Sequence, residues 1–109
     1  MASEVLKLAT FRGDANSVQA LLTVASGKTA TVLSVTICET AGNAETFDLY
    51  VDEDDGGTDH YIYKDQAIGA KETFEHTGRI VLEAADHLSI QTADTSDIDV
   101  VVSYLEQTL

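Results

Sequence analysis

Residues 22–51 read LTVASGKTATVLSVTICETAGNAETFDLYV, and this stretch decides the fold class. Apolar and polar side chains alternate in residues 33–38 and again in residues 47–51. Because successive side chains of a strand point to opposite faces, this alternation predicts two half-buried β-strands. The turn residues Ala41-Gly42-Asn43 separate them. The stretch therefore predicts antiparallel strands joined by a tight turn.

Other alternating segments extend this pattern along the chain, at residues 18–24, 60–64, 72–75, 79–83, 88–91 and 98–105. No segment of ten residues has helical periodicity. About eight strands joined by short polar turns predict an all-β protein, a single antiparallel β-sandwich or jelly-roll-like domain over residues 18–109. We expect its core to contain Leu33, Val35, Ile37, Phe47, Leu49, Ile80, Leu82, Leu88, Ile90, Val100 and Val102.

Length and charge limit the possible functions. A chain of 109 residues suffices for one hydrophobic core. Its 19 acidic and 6 basic residues give a net charge of −13. This charge repels nucleic acid and anionic membranes. It either favours a neutral or basic partner or serves solubility alone. No run approaches the roughly 20 apolar residues of a membrane span, and the N-terminus does not resemble a signal peptide. We therefore expect synthesis in the cytoplasm, with no nucleic-acid and no membrane partner.

Residues 1–17 differ from the rest of the chain. Val5, Leu6, Leu8 and Phe11 are apolar but precede a polar break at residues 12–16. One interpretation is an N-terminal arm that uses these four residues to bind a neighbouring subunit or a shell, since an extended arm can add a strand to an exposed sheet edge. The other interpretation is an edge strand of the same sandwich.

Tyr61 and Tyr63 form a second candidate binding site. Alternation places both on one face of their strand. Two tyrosines on one face can stack on a sugar ring or pack against a partner. Packing across the sandwich or beneath a loop is the alternative.

The acidic loop at residues 52–59 suggests calcium, but its spacing does not match a calcium-binding loop. If Gly57 is the invariant glycine of an EF-hand, Gly56 takes the fifth ligand position and Tyr63 takes the twelfth, where a bidentate Glu is needed. We expect a solvated hairpin loop, and predict no metal and no cofactor.

The sequence also lacks a recognisable catalytic arrangement. The three histidines are widely separated, and no glycine-rich nucleophile turn is present. Cys38 is the single cysteine, so it cannot form an internal disulfide, and the adjacent Glu39 favours an unreactive thiol. We predict that the protein is not an enzyme.

Four segments resemble small virion proteins of tailed bacteriophages: LLTVASGKTATV at 21–32, VTICET at 35–40, FDLYV at 47–51 and RIVLEAADHLSI at 79–90. The chain has Ala25 where that family usually has proline. The resemblance covers most of residues 18–105 and implies a β-sandwich component of the capsid, tail or neck.

Within this family, a small acidic domain is most similar to a capsid decoration (cement) protein. The resemblance then implies binding to the major capsid protein and to copies of itself, as a homotrimer at three-fold positions of a virion assembled in the host cytoplasm. A tail or head-to-tail connector component is the first alternative. A carbohydrate-binding β-sandwich module is the second, disfavoured because the chain has no Trp and only four Tyr.

Overall fold

A computed structural model describes residues 3–109 and contains nine β-strands in that range. The strands are β1 Ser3–Gly13, β2 Gln19–Thr23, β3 Lys28–Glu39, β4 Glu45–Asp52, β5 Asp59–Ile68, β6 Thr73–His76, β7 Ile80–Leu82, β8 His87–Thr92 and β9 Ile98–Thr108.

The strands form two sheets. The long sheet has the order β1-β9-β3-β6, with β7 also paired to β3, and the short sheet has the order β2-β8-β4-β5. Every pairing is antiparallel. The predicted all-β antiparallel sandwich is therefore confirmed.

The core lies between the two sheets and is mainly aliphatic. Strand β3 supplies alternate side chains to it from the long sheet, and β8 supplies them from the short sheet. Of the predicted core residues, those that are buried are Val35, Ile37, Phe47, Leu49, Leu82, Leu88, Ile90, Val100 and Val102. Ile80 is half-buried and packs against this core from β7.

Leu33 was predicted to be in the core, and this prediction is wrong. Val32 pairs with Tyr104 and Ser34 pairs with Ser103, so Leu33 is an extra residue in β3. An extra residue shifts the alternation by one position, which is the effect of a β-bulge. As a result Val32 and Val35 are both fully buried while Leu33 is half-buried.

The N-terminal segment lies in the long sheet. Strand β1 pairs with β9 along its whole length, from Ser3 opposite Thr108 to Gly13 opposite Ile98. It is therefore an edge strand within the described residues, and Met1 and Ala2 of the predicted arm lie outside them.

A buried carboxylate fixes the turn after β3. Glu39 is 2% exposed and accepts hydrogen bonds from the backbone N–H groups of Lys71, Gly42, Ala41 and Asn43, at 2.8–3.1 Å. The N–H of Lys71, followed by the other three, lowers the pKa of Glu39 although desolvation acts in the opposite direction. The ionised carboxylate thus connects the β3–β4 turn to the segment before β6.

Candidate interaction surface

The side of the long sheet that faces away from the core carries exposed apolar residues in register. Leu6 on β1 lies opposite Leu105 on β9, which lies opposite Thr31 on β3, which lies opposite Val81 on β7. Directly opposed residues of antiparallel strands share a face, so these four side chains form one row across the sheet. We call this side of the long sheet the outer face.

The neighbouring rows are also free of charge near their centres. Leu8 lies opposite Ser103, and Thr10 lies opposite Val101. Leu6 is 73% exposed, Val81 67% and Leu8 64%, and Val101 is also exposed. Such a group of large apolar side chains on one face is typical of an interaction surface rather than of scattered surface residues.

Charged groups lie at the edge of the outer face. At one end, Glu4 Oε1 accepts a hydrogen bond from Gln107 Nε2 at 3.0 Å. At the other end, Arg12 Nε donates to Asp99 Oδ1 at 3.0 Å, and this hydrogen bond raises the pKa of Arg12. An apolar centre surrounded by polar and charged groups is the usual composition of a protein interface.

The structure separates the four apolar residues predicted to bind a partner. Leu6 and Leu8 are on the outer face, whereas Val5 and Phe11 are on the opposite side of β1, in register with Glu106 and the buried Val100. Phe11 is half-buried and packs against the core. Only Leu6 and Leu8 of the four thus belong to the outer face.

The inner side of β1 is charged near its beginning. Glu106 Oε1 is 3.1 Å from Lys7 Nζ and 3.2 Å from Lys28 Nζ. The hydrogen bond from Lys7, followed by that from Lys28, lowers the pKa of Glu106. The contact joins β1, β9 and β3 beside the half-exposed Val5.

Tyr61 and Tyr63 do not share a face, which corrects the sequence-based prediction. Tyr63 lies opposite the buried Leu49 and Tyr61 lies opposite the next residue, Tyr50, because Ile62 is an extra residue in β5. Leu49 and Tyr50 point to opposite sides of β4, so the two tyrosines do as well.

Each tyrosine has its own neighbours. The Tyr63 ring packs edge-on against Phe74 at 4.8 Å, and its hydroxyl is 2.9 Å from His76 Nδ1, so it spans the space between the sheets. Tyr61 packs against Tyr50 at 5.2 Å, and Lys64 Nζ lies 4.6 Å from its ring centroid. The pair therefore forms no common platform for a sugar.

The acidic loop is organised by its own backbone. The N–H of Gly56 donates to Asp52 Oδ1 at 3.0 Å, and the N–H of Asp54 donates to Asp86 Oδ1 at 3.1 Å. His87 Nε2 is 3.3 Å from Asp55 Oδ1. Within residues 3–109, no three His, Cys, Asp or Glu side chains are grouped so that they could hold a metal ion.

An open cleft of about 460 Å³ lies between the β4–β5 pair and the turn after Ile68. Its polar lining includes Glu45, Glu72 and Asp94. Glu45 Oε1 accepts the N–H of Thr46 at 3.2 Å and that of Asp94 at 3.3 Å. The cleft lining contains neither a histidine nor a cysteine. In the part of the chain that the structure describes, no helix is long and apolar enough to cross a lipid bilayer.

No family model and no curated protein matches the chain. The fold is nevertheless similar to solved structures. A chain in the acidic stable capsid structure of Helicobacter pylori bacteriophage KHP30 is 20% identical with a TM-score of 0.56, over 97% of this chain and 92% of that chain. A chain in the structure of infectious bursal disease virus, Gx strain, is 12% identical with a TM-score of 0.63, over 99% of this chain and 33% of that chain.

The same fold also occurs in a chain of Bacteroides thetaiotaomicron assigned as an α-L-fucosidase. It is 17% identical with a TM-score of 0.54, over 88% of this chain and 21% of that chain. This chain therefore spans a third of the infectious bursal disease virus chain and about a fifth of the fucosidase chain. At these identities the likeness establishes the sandwich fold alone.

Proposed function

We propose that this protein is a structural component of a bacteriophage virion, a capsid decoration protein that binds the major capsid protein and stabilises the shell. The apolar outer face of the long sheet carries this proposal. The sandwich fold that the chain shares with a chain of the KHP30 capsid supports it, as does the sequence resemblance to small virion proteins of tailed phages.

The outer face is suited to binding another protein. Burying one large apolar side chain contributes about 1.5–3 kcal/mol. Leu6, Leu8 and Val81 are each more than half exposed in the isolated chain, so all three can contribute on contact. Binding through the rows of Leu6 and Leu8 removes no charge from water, because these two rows contain none, whereas the row of Thr10 ends at Glu75 on β6.

Charge distribution supports a shell as the partner. The net charge of −13 makes copies repel one another, and the rows of Leu6 and Leu8 at the centre of the outer face add no charge to this repulsion. Copies that are bound through their outer faces to a neutral or basic shell bury these apolar residues, and the shell holds their negative charges apart. We propose that the shell groups them as homotrimers at its three-fold positions, in a virion assembled in the host cytoplasm.

A tail or head-to-tail connector component is the second candidate, since the same face would serve there. A carbohydrate-binding module has less support, because Tyr61 and Tyr63 lie on opposite faces of β5.

Capsids assembled without this protein provide the test. We expect the wild-type protein to sediment with such capsids and the double variant Leu6→Asp/Val81→Asp to stay in the supernatant. Ala20→Asp/Ala67→Asp is the matched control, since both alanines are exposed and face away from the core on the short sheet, opposite Ser89 and Thr46, and the control receives the same two charges. Tm values measured on all three proteins establish that each is folded.

Equal binding by the double variant and the control would show that the outer face is not the docking surface. Wild-type protein that does not sediment with capsids but sediments with isolated tails would favour the tail or connector alternative.

A further inference from the structure

We propose that two copies of this chain associate edge to edge through β1, antiparallel, around a two-fold axis that passes beside Leu8. The two long sheets then form one continuous sheet across the dimer. This inference does not depend on the proposed virion function.

Strand β1 has a free edge. It has 11 residues, and in the described structure it pairs with β9 on one side only. Its register with β9 is regular, without a bulge, and the strand contains no proline. Proteins usually block long flat edges with lysines, prolines or bulges, because an open edge readily pairs with another strand. The single lysine of β1, Lys7, contacts Glu106 on the inner side of the sheet.

Symmetry limits the possible registers. A two-fold axis that joins two antiparallel edges into one sheet stands perpendicular to that sheet, so outer-face residues meet outer-face residues. Residues on one face of β1 have numbers that are either all even or all odd, so the numbers of two paired residues must have an even sum. A sum of 16 places Leu8 opposite its own copy and pairs Ser3 with Gly13, so that all 11 residues of β1 take part.

The charges of β1 are complementary in this register. Glu4 of each copy lies opposite Arg12 of the other, and Leu6 lies opposite Thr10. The registers on either side are worse: one places Lys7 directly opposite Lys7, and the other places Leu6 opposite Arg12 and Glu4 opposite Asp14, just beyond the end of β1. Opposite charges across a strand pair stabilise it and like charges destabilise it, so the register centred on Leu8 is favoured.

The net charge of β1 also favours contact between copies. With two basic residues and one acidic residue, β1 is net positive in a chain of net charge −13. Each of the other eight described strands is neutral or negative when His is counted as neutral. The excess of negative charge that makes copies repel one another is therefore not concentrated at this edge.

Edge pairing leaves the outer face accessible. The Leu6 and Leu8 side chains of both copies come together at the centre of the continuous sheet and enlarge its apolar face. In an icosahedral shell, two-fold contacts between neighbouring trimers are compatible with three-fold contacts within each trimer.

Disulfide trapping tests the register with the purified protein, without capsids. Single cysteines are introduced in a Cys38→Ser background, and the proteins are oxidised. Leu8→Cys should give a covalent dimer, because residues directly opposite each other have Cβ atoms about 4.5–5.5 Å apart. Leu6→Cys should remain mostly uncrosslinked, because its copy lies four residues away, about 14 Å along the strand. Equal dimer yields from the two variants would overturn the register.

Molar mass in solution tests the association itself. We expect an even number of chains for the wild type, and at least a tenfold weaker association for Leu8→Glu, which places two carboxylates side by side at the axis. Val81→Glu is the matched control on the same face, and we expect its association to be unchanged. A wild-type protein that is monomeric or has an odd number of chains, or an equal loss in both variants, would overturn the proposal. Because no capsid is present, these results are independent of the test of shell binding.

Discussion

The sides of the two sheets that face away from the core differ in chemistry, although the sides that face it are alike. On the long sheet, the rows of Leu6 and Leu8, the first of which ends at Val81, contain no charged group. On the short sheet, the corresponding side carries Asp48 and Lys64, which form an ion pair at 3.1 Å, and leads into the acidic loop. One side is therefore suited to contact with protein and the other to contact with water.

This difference shows that the inward and the outward side chains of a strand are constrained independently of each other. The inward residues of both sheets are mainly apolar because they fill one core, and the outward residues are free to differ. Exposed aliphatic residues in register on the long sheet indicate a surface selected for binding, since solubility alone would favour charge there as well.

We expect the largest difference in stability between substitutions on the two sides of a single strand, β9. Val102 is 1% exposed and Val101 is 39% exposed, and they are adjacent on β9. Val102→Asp buries a charge without a partner, so we expect the domain to unfold or aggregate. Val101→Asp should change the free energy of unfolding by no more than about 0.5 kcal/mol. Urea denaturation checks both, and a comparable loss in the two variants would contradict the assignment of the two sides.

An intermediate effect is expected at Glu39, which belongs to neither outward side. Its pKa is lowered in the folded state, so its ionised form contributes stability above the unfolded pKa, about 4.3, and this contribution is lost as the pH falls through the lower folded pKa. Glu39→Gln should therefore lower Tm at pH 7, and the Tm gap to the wild type should narrow below about pH 4.

Comparing the variant with the wild type removes the general effect of acid on a chain of net charge −13. Glu83→Gln, at an exposed residue, is the control for loss of one negative charge and should leave Tm nearly unchanged. A Tm gap for Glu39→Gln that is constant between pH 7 and pH 3 would contradict the role of the ionised carboxylate.

The smallest effect is expected at the acidic loop. Millimolar calcium should raise Tm no more than sodium chloride of equal ionic strength, since both screen the same repulsion and the Asp52 carboxylate already accepts a backbone N–H of the loop. Differential scanning fluorimetry with the two salts measures this. A saturable rise in Tm that is specific to calcium would show that the acidic loop binds this ion.

Local alternation determined the strands and the class of fold, because burial of one side of a strand imposes a period of two on the sequence. That signal identified Val35, Ile37, Phe47 and Leu49 as core residues, and the structure buries all four. The turn at residues 41–43 was also evident from its Gly and Asn, but the part that Glu39 plays in holding it was not. The carboxylate binds the N–H of Lys71, 32 residues away in sequence, and no local pattern specifies such a contact.

The bulges and the pairing of strands were decided by the tertiary structure. Leu33 and Ile62 become extra residues only because of the strands that pair with β3 and β5, and each reverses the side on which the preceding residues lie. Likewise, the exposed Leu6 and Val81 are 75 positions apart in sequence and become one surface only through the order β1-β9-β3-β7. The sequence by itself therefore determined eight of the nine strands, since that depends on neighbouring residues, and left β1 open between an arm and an edge strand. Only the tertiary structure decided which side chains share a surface, since that depends on hydrogen-bonded partners distant in the chain.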